Sequence, residues 1–163
     1  MAAEVPEFDA SALEEHPLRM SHVLRGVYVG DLHDAQQVLV GGAAEVHAVL
    51  NMADMSSGEL PYPPVPASIT YCNLPLIDFQ YCDPRNWHEA ADFIDRFKEG
   101  ILVHCLAGIS RSPTAVLAYL VKYEKLSQWR AMRLLRKARP QARPAPELLK
   151  SFADFRKTLR WSR

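Results

Sequence analysis

"ILVHCLAGISRSPTAVLAYL", residues 101 to 120, is the stretch that decides the fold. Its opening "ILVHC" is a short apolar strand of the kind buried on both faces of a mostly parallel sheet. The small residues of "CLAGIS" make a turn. "RSPTAVLAYLVKY" then reads as a helix, with Pro113 in the first turn, where a missing N–H goes unnoticed. Strand, tight turn and helix in direct succession form the building unit of layered α/β folds. Ligands of such sheets bind beyond the carboxyl ends of the strands, which is where Cys105 falls.

A loop of small residues feeding a helix N-terminus turns several backbone N–H groups toward one point. Reinforced by the positive end of the helix dipole, it makes a concave anion site. Gly108 permits the backbone angles that so tight a loop demands. Arg111 brings a planar fork that can hold two oxygens of one phosphate. The same positive surroundings favour the thiolate of Cys105 over the thiol. The loop then binds an oxyanion, and the sulfur is aimed at its central atom.

Working outward, "GVYVGD" (26–31), "EVHAVLNM" (45–52) and "ITYCNLPLI" (69–77) read as further strands from their β-branched content. "LHDAQQVLVGG" is a short helix ended by Gly41 and Gly42. "WHEAADFIDRFKEG" (87–100) places apolar residues at helical spacing and ends at Gly100. Helical patterns follow at 112–124, 127–138 and 146–160, and the Pro-rich "SGELPYPPVPAS" is a loop. The expectation is a single α/β domain: a central, mostly parallel sheet of about five strands flanked by helices. Residues 1–20 carry little periodicity and are expected to be a flexible acidic arm, leaving 21–163 as the folded domain.

At 163 residues the chain is long enough for one domain with a substantial core. It holds no apolar run long enough to span a membrane, and its acidic N-terminus lacks the apolar stretch of a secretory signal. Three cysteines, an odd number, fit reduced thiols in a cytoplasmic or nuclear setting. The zero net charge hides an asymmetry: 3 basic and 15 acidic residues precede Arg96, and 16 basic and 4 acidic follow from it. The basic half carries the loop, so a positive field over an anion site and simple complementarity of solvated faces both remain open. No aromatic and basic stripe points to nucleic acid, and no metal-ligand spacing is present.

"HCLAGISRS" resembles the Cys-x5-Arg-Ser/Thr signature of cysteine-dependent protein phosphatases, and "GISRSPTAVLAYLV" looks like its dual-specificity branch. "GVYVGDLHDA", "AVLNM", "NLPLID", "AADFID" and "RPQARP" fall in family order over most of residues 22–160, without an added regulatory domain. The chain is thus similar to the small atypical members, and the resemblance implies a protein-tyrosine-phosphatase-like fold. It also implies Cys105 as nucleophile through a phosphocysteine, Arg111 as phosphate binder, and Ser112 as hydrogen-bond donor to the departing sulfur. The backbone amides of Leu106, Ala107, Gly108, Ile109, Ser110 and Arg111 would form the cradle, with His104 fixing the loop. The general acid and later base is implied to be Asp78, with Asp83 as the alternative in the same loop. No cofactor is implied.

The family often carries Asn just after the second Arg-Pro, where it braces the phosphate loop. Ala145 stands there instead, which puts the rigidity of the loop in question. Loop positions 106, 107, 109 and 110 add no charge, which favours a phosphoprotein over a phosphoinositide or a glucan as substrate. Phosphotyrosine and phosphoserine or phosphothreonine are both expected substrates. A non-catalytic phosphoprotein-binding module is the alternative from another class. Cys72 reads as a core residue, and Cys82, in the acid loop, is open to an oxidative pairing with Cys105.

Overall fold

A computed structural model describes residues 7–13 and 17–159. Its strands are β1 (Ser21–Leu24), β2 (Val27–Gly30), β3 (Ala48–Ala53), β4 (Thr70–Leu76) and β5 (Ile101–His104). Its helices are α1 (Leu32–Leu39), α2 (Arg85–Arg96), α3 (Arg111–Lys122), α4 (Gln128–Ala138) and α5 (Pro146–Lys157). The strands form one sheet in the order β1-β2-β5-β3-β4, parallel throughout except for the antiparallel β1–β2 pair. β5 lies at the centre with every residue buried, as the apolar run Ile101 to Val103 requires. β4 is an edge, which is why Pro75, with no N–H to donate, is tolerated in it.

Period-two alternation sends the side chains of β3 and β5 to two different cores. Val49 and Leu102 face α1, together with Ala35, Val38 and Leu39. Leu50 and Val103 face the larger core built with α2, α3, α4 and α5, in which Trp87, Tyr119, Phe152 and Phe155 are buried. α3 is buried over nearly its whole length, so the loop before it is set into the centre of the molecule. α1 starts at a capping box, in which Asp31 accepts from the Asp34 N–H and the Asp34 carboxylate accepts from the Asp31 N–H.

The α/β architecture with five mostly parallel strands is the one expected. β1 is an addition, since only the other four strands were placed from the sequence. α2 begins two residues earlier than read, and α5 ends at Lys157. Of the N-terminal segment expected as an arm, residues 1–6 and 14–16 lie outside the described residues, and Ala10–Leu13 form a short 3-10 turn with Leu13 buried. Among the described residues no helix is long and apolar enough to cross a membrane.

Candidate active site

The loop from Cys105 to Ser110 leaves the carboxyl end of β5 and enters α3. Its carbonyls are held from outside. His104 Nδ1 donates to the Cys105 carbonyl at 2.9 Å, and the Leu32 N–H donates to that of Leu106 at 2.9 Å. Arg139 Nε donates to the Gly108 carbonyl at 2.7 Å, the Arg143 N–H to that of Ile109 at 2.7 Å, and the Thr114 N–H to that of Ser110 at 3.1 Å. In a trans peptide the N–H lies opposite the C=O. The amides of Leu106, Ala107, Ile109, Ser110 and Arg111 therefore face away from these outer partners, toward the interior of the turn. Gly108 has φ +66, and a Cβ there would come within 2.6 Å of the Gly30 carbonyl, so only glycine fits.

Cys105 is 2% exposed, with Sγ 3.2 Å from Ser112 Oγ. Ser112 is itself 3.4 Å from the Gly30 carbonyl. Ser110 occupies the N-cap position of α3 but makes no capping hydrogen bond. Its hydroxyl donates instead to Asp78 Oδ1 at 2.8 Å and accepts from the Ala145 N–H at 2.9 Å. The first turn of α3 thus keeps the anion-attracting character of an uncapped helix end.

Arg111, 7% exposed, donates through Nη1 to the Leu76 carbonyl at 2.8 Å. Its Nε is the one buried side-chain polar atom without a partner among the described residues. A buried guanidinium N–H left unpaired carries a large penalty, which an incoming oxyanion would lift. Arg111 and Ser110 tie the segment Leu76 to Asp78 to the loop at two points. Asp83 instead accepts from Arg85 at 2.8 Å, so of the two carboxylates it is Asp78 that meets the loop.

His104 is fully buried. Burial holds it down to about 4, against the opposing hydrogen bond to the Cys105 carbonyl, so the ring is neutral at physiological pH. With Nδ1–H donating to that carbonyl, Nε2 accepts from the Tyr62 hydroxyl at 2.9 Å. Burial pushes Tyr62 up beyond any physiological pH, which keeps this donor protonated. Neither Tyr62 nor Arg139 was singled out from the sequence. Tyr62 sits in the Pro-rich loop and gave no signal, whereas Arg139 opens the "RPQARP" segment that did.

Bracing of the loop corrects one expectation. With Ala145 in place of Asn the loop is still held: the Ala145 backbone N–H and the buried Arg139 supply the contacts. Cys82 Sγ is 3.4 Å from Ser151 Oγ, and Cys72 packs at the margin of the larger core. Burial pushes both thiols up, and all three cysteines are free. Among the described residues no group of three or more His, Cys, Asp or Glu could hold a metal ion.

The sequence model described as "Dual specificity phosphatase, catalytic domain" matches residues 27–158. Dual specificity protein phosphatase 1B of Arabidopsis thaliana is 30% identical over 159 residues, covering 95% of this chain and 92% of that protein. Dual specificity protein phosphatase 22 of Mus musculus is 29% identical over 142 residues, covering 85% and 74%. The crystal structure of human DUSP28 superposes with a TM-score of 0.74 at 21% identity, covering 88% of this chain and 97% of that one, a likeness of fold. That of DUSP15 gives 0.68 at 29% identity, covering 85% and 88%. A turn of inward amides, with a buried sulfur and an unpaired guanidinium N–H, thus lies within a chain that belongs to the dual specificity protein phosphatases.

Proposed function

We propose that this phosphatase cleaves phosphate from phosphoproteins in two steps on Cys105. The unpaired Nε of buried Arg111 carries the reading, because it is a built donor that a phosphoryl oxygen satisfies. In the first step a lone pair of the Cys105 thiolate attacks phosphorus while the ester P–O bond breaks. Protonated Asp78 gives its proton to the leaving oxygen, and a phosphocysteine results. The loop amides and Arg111 hold the equatorial oxygens as charge develops on them. In the second step Asp78, now a carboxylate, takes a proton from water as the water oxygen attacks phosphorus. The S–P bond breaks, Ser112 Oγ donates toward the departing thiolate, and inorganic phosphate leaves.

His104 plays no part in proton transfer in this scheme. It is neutral, fully buried and committed through both ring nitrogens, so it holds the Cys105 carbonyl and with it the start of the loop. The absence of extra charge at Leu106, Ala107, Ile109 and Ser110 supports a singly phosphorylated side chain rather than a polyanionic lipid or glucan. The test is phosphate release without added metal from phosphotyrosine, phosphoserine and phosphothreonine peptides, a phosphoinositide and a phosphoglucan. Peptides are expected to turn over fastest, and Cys105→Ser to abolish turnover. Faster release from the lipid or glucan would move the substrate class. Binding of phosphopeptides with turnover no faster than solvent would make the chain a capture module.

A further inference from the structure

A cavity of about 650 Å³ opens on the α1 face of the sheet, between the segment 7–13, α1 and the loop 55–62. That volume falls in the range of ligand pockets. Its walls are apolar and aromatic, from Phe8, Leu13, Met55, Leu60, Tyr62 and Tyr71. Glu7, Asp9 and Glu59 also line it, and no Lys, Arg or His does among the described residues. An anionic ligand would meet these carboxylates there. A group with an apolar stem and a cationic head fits both features: the stem lies against aliphatic and ring surface, and the head meets carboxylates and π-faces.

The cavity is close to the reaction centre. Tyr62, one of its walls, donates its hydroxyl to His104 at 2.9 Å, and His104 adjoins Cys105. Asn73, another lining residue, is in register with Asn51 on β3, which is in register with His104 on β5. Two strand spacings separate Asn73 from His104, or about 10 Å. An extended chain covers that distance in about three residues.

We propose that this cavity is a substrate subsite that takes an arginine or lysine side chain lying about two to four residues from the phosphorylated residue. This rests on the phosphoprotein reading above. The site as a whole is dipolar, binding the phosphate at the turn before α3 and a cation in this cavity. It favours phosphopeptides carrying a nearby basic residue and gives no purchase to polyanionic lipids or glucans.

The experiment walks a single Arg from four residues before to four residues after the phosphorylated residue in an otherwise Ala-rich peptide, with Glu at the same positions as control. Values of kcat/KM are measured for the native chain and for the triple variant Glu7→Gln, Asp9→Asn, Glu59→Gln. One position is expected to raise kcat/KM by up to about fivefold over Ala, the upper end for an exposed ion pair. The gain should shrink with salt and vanish in the triple variant, while hydrolysis of p-nitrophenyl phosphate stays unchanged in that variant. Equal rates at every Arg position, or a gain that survives the triple change, overturns the subsite and leaves the phosphatase reading intact. Hydrolysis of p-nitrophenyl phosphate with none of any phosphopeptide overturns the protein-substrate reading, and the subsite with it.

Discussion

Replacing Ser110 by Ala removes one hydroxyl and, with it, two contacts of different meaning. The first is the 2.8 Å hydrogen bond to Asp78 Oδ1, which joins the acid to the phosphate loop. Asp78 carries its proton when it acts as the acid, and a hydrogen bond between neutral groups contributes about 0.5–1.5 kcal/mol net. If all of that serves to place Asp78, turnover of substrates needing protonation falls about twofold to tenfold. Complete loss of general acid catalysis, as in Asp78→Asn, is worth ~10²–10⁴, so Ser110→Ala should lie between the native enzyme and that variant. The second contact is the Ala145 N–H, buried and then left without an acceptor, at a stability cost of about 1–3 kcal/mol. The assay is kcat on a phosphoserine peptide against kcat on p-nitrophenyl phosphate, whose leaving group needs little proton assistance, together with a urea midpoint. The expected pattern is about twofold to tenfold slowing on the peptide, clearly less on the aryl ester, and a lower midpoint. Equal slowing on both would refute the tether, because it would mean that Ser110 shapes the loop as a whole.

Three further outcomes follow from the same geometry. Arg111→Lys should lower kcat/KM by ~10²–10³, since a compact ammonium cannot reproduce the spread, coplanar donors by which the guanidinium holds the Leu76 carbonyl and faces phosphate; a loss under threefold would contradict that role. Arg139→Met leaves the Gly108 carbonyl without its donor and should destabilise the fold by about 2–3 kcal/mol while weakening vanadate inhibition, read by urea unfolding and inhibition constants. His104 is depressed from 6.5 to about 4 on folding, so the unfolded chain takes the proton first as the solution acidifies. Its contribution is intact above pH 6.5 and lost progressively down to pH 4, by about 3 kcal/mol. Urea midpoints for the native chain should therefore fall more steeply over that window than those of His104→Asn, and parallel slopes would refute the assignment.

What the sequence made legible was local chemistry. The strand, turn and helix around Cys105 are written in contiguous residues, and Gly108 could be read as the loop's pivot because its reason is a backbone angle. Asp78 was singled out through the family resemblance rather than by a local pattern, and in the structure it accepts from Ser110 of the loop. Contacts between distant segments left no such trace. Tyr62 reaches His104 across 42 positions and Arg139 reaches Gly108 across 31, each governed by packing of whole elements rather than by a local pattern. β1 escaped because four residues with one bulge show no usable alternation. Ala145 misled for a related reason: the brace it lacks as a side chain is supplied by its backbone N–H, which every residue but proline carries.

The central claim is that the Cys105 sulfur takes the phosphoryl group. Rapid acid quench of the enzyme turning over a ³²P-labelled phosphopeptide, followed by proteolysis, tests it directly. The account predicts label on the fragment containing Cys105, more of it when Asp78→Asn slows the second step on an aryl ester, and none in Cys105→Ser. Phosphate release that persists in Cys105→Ser, or label recovered on any other residue, would contradict it.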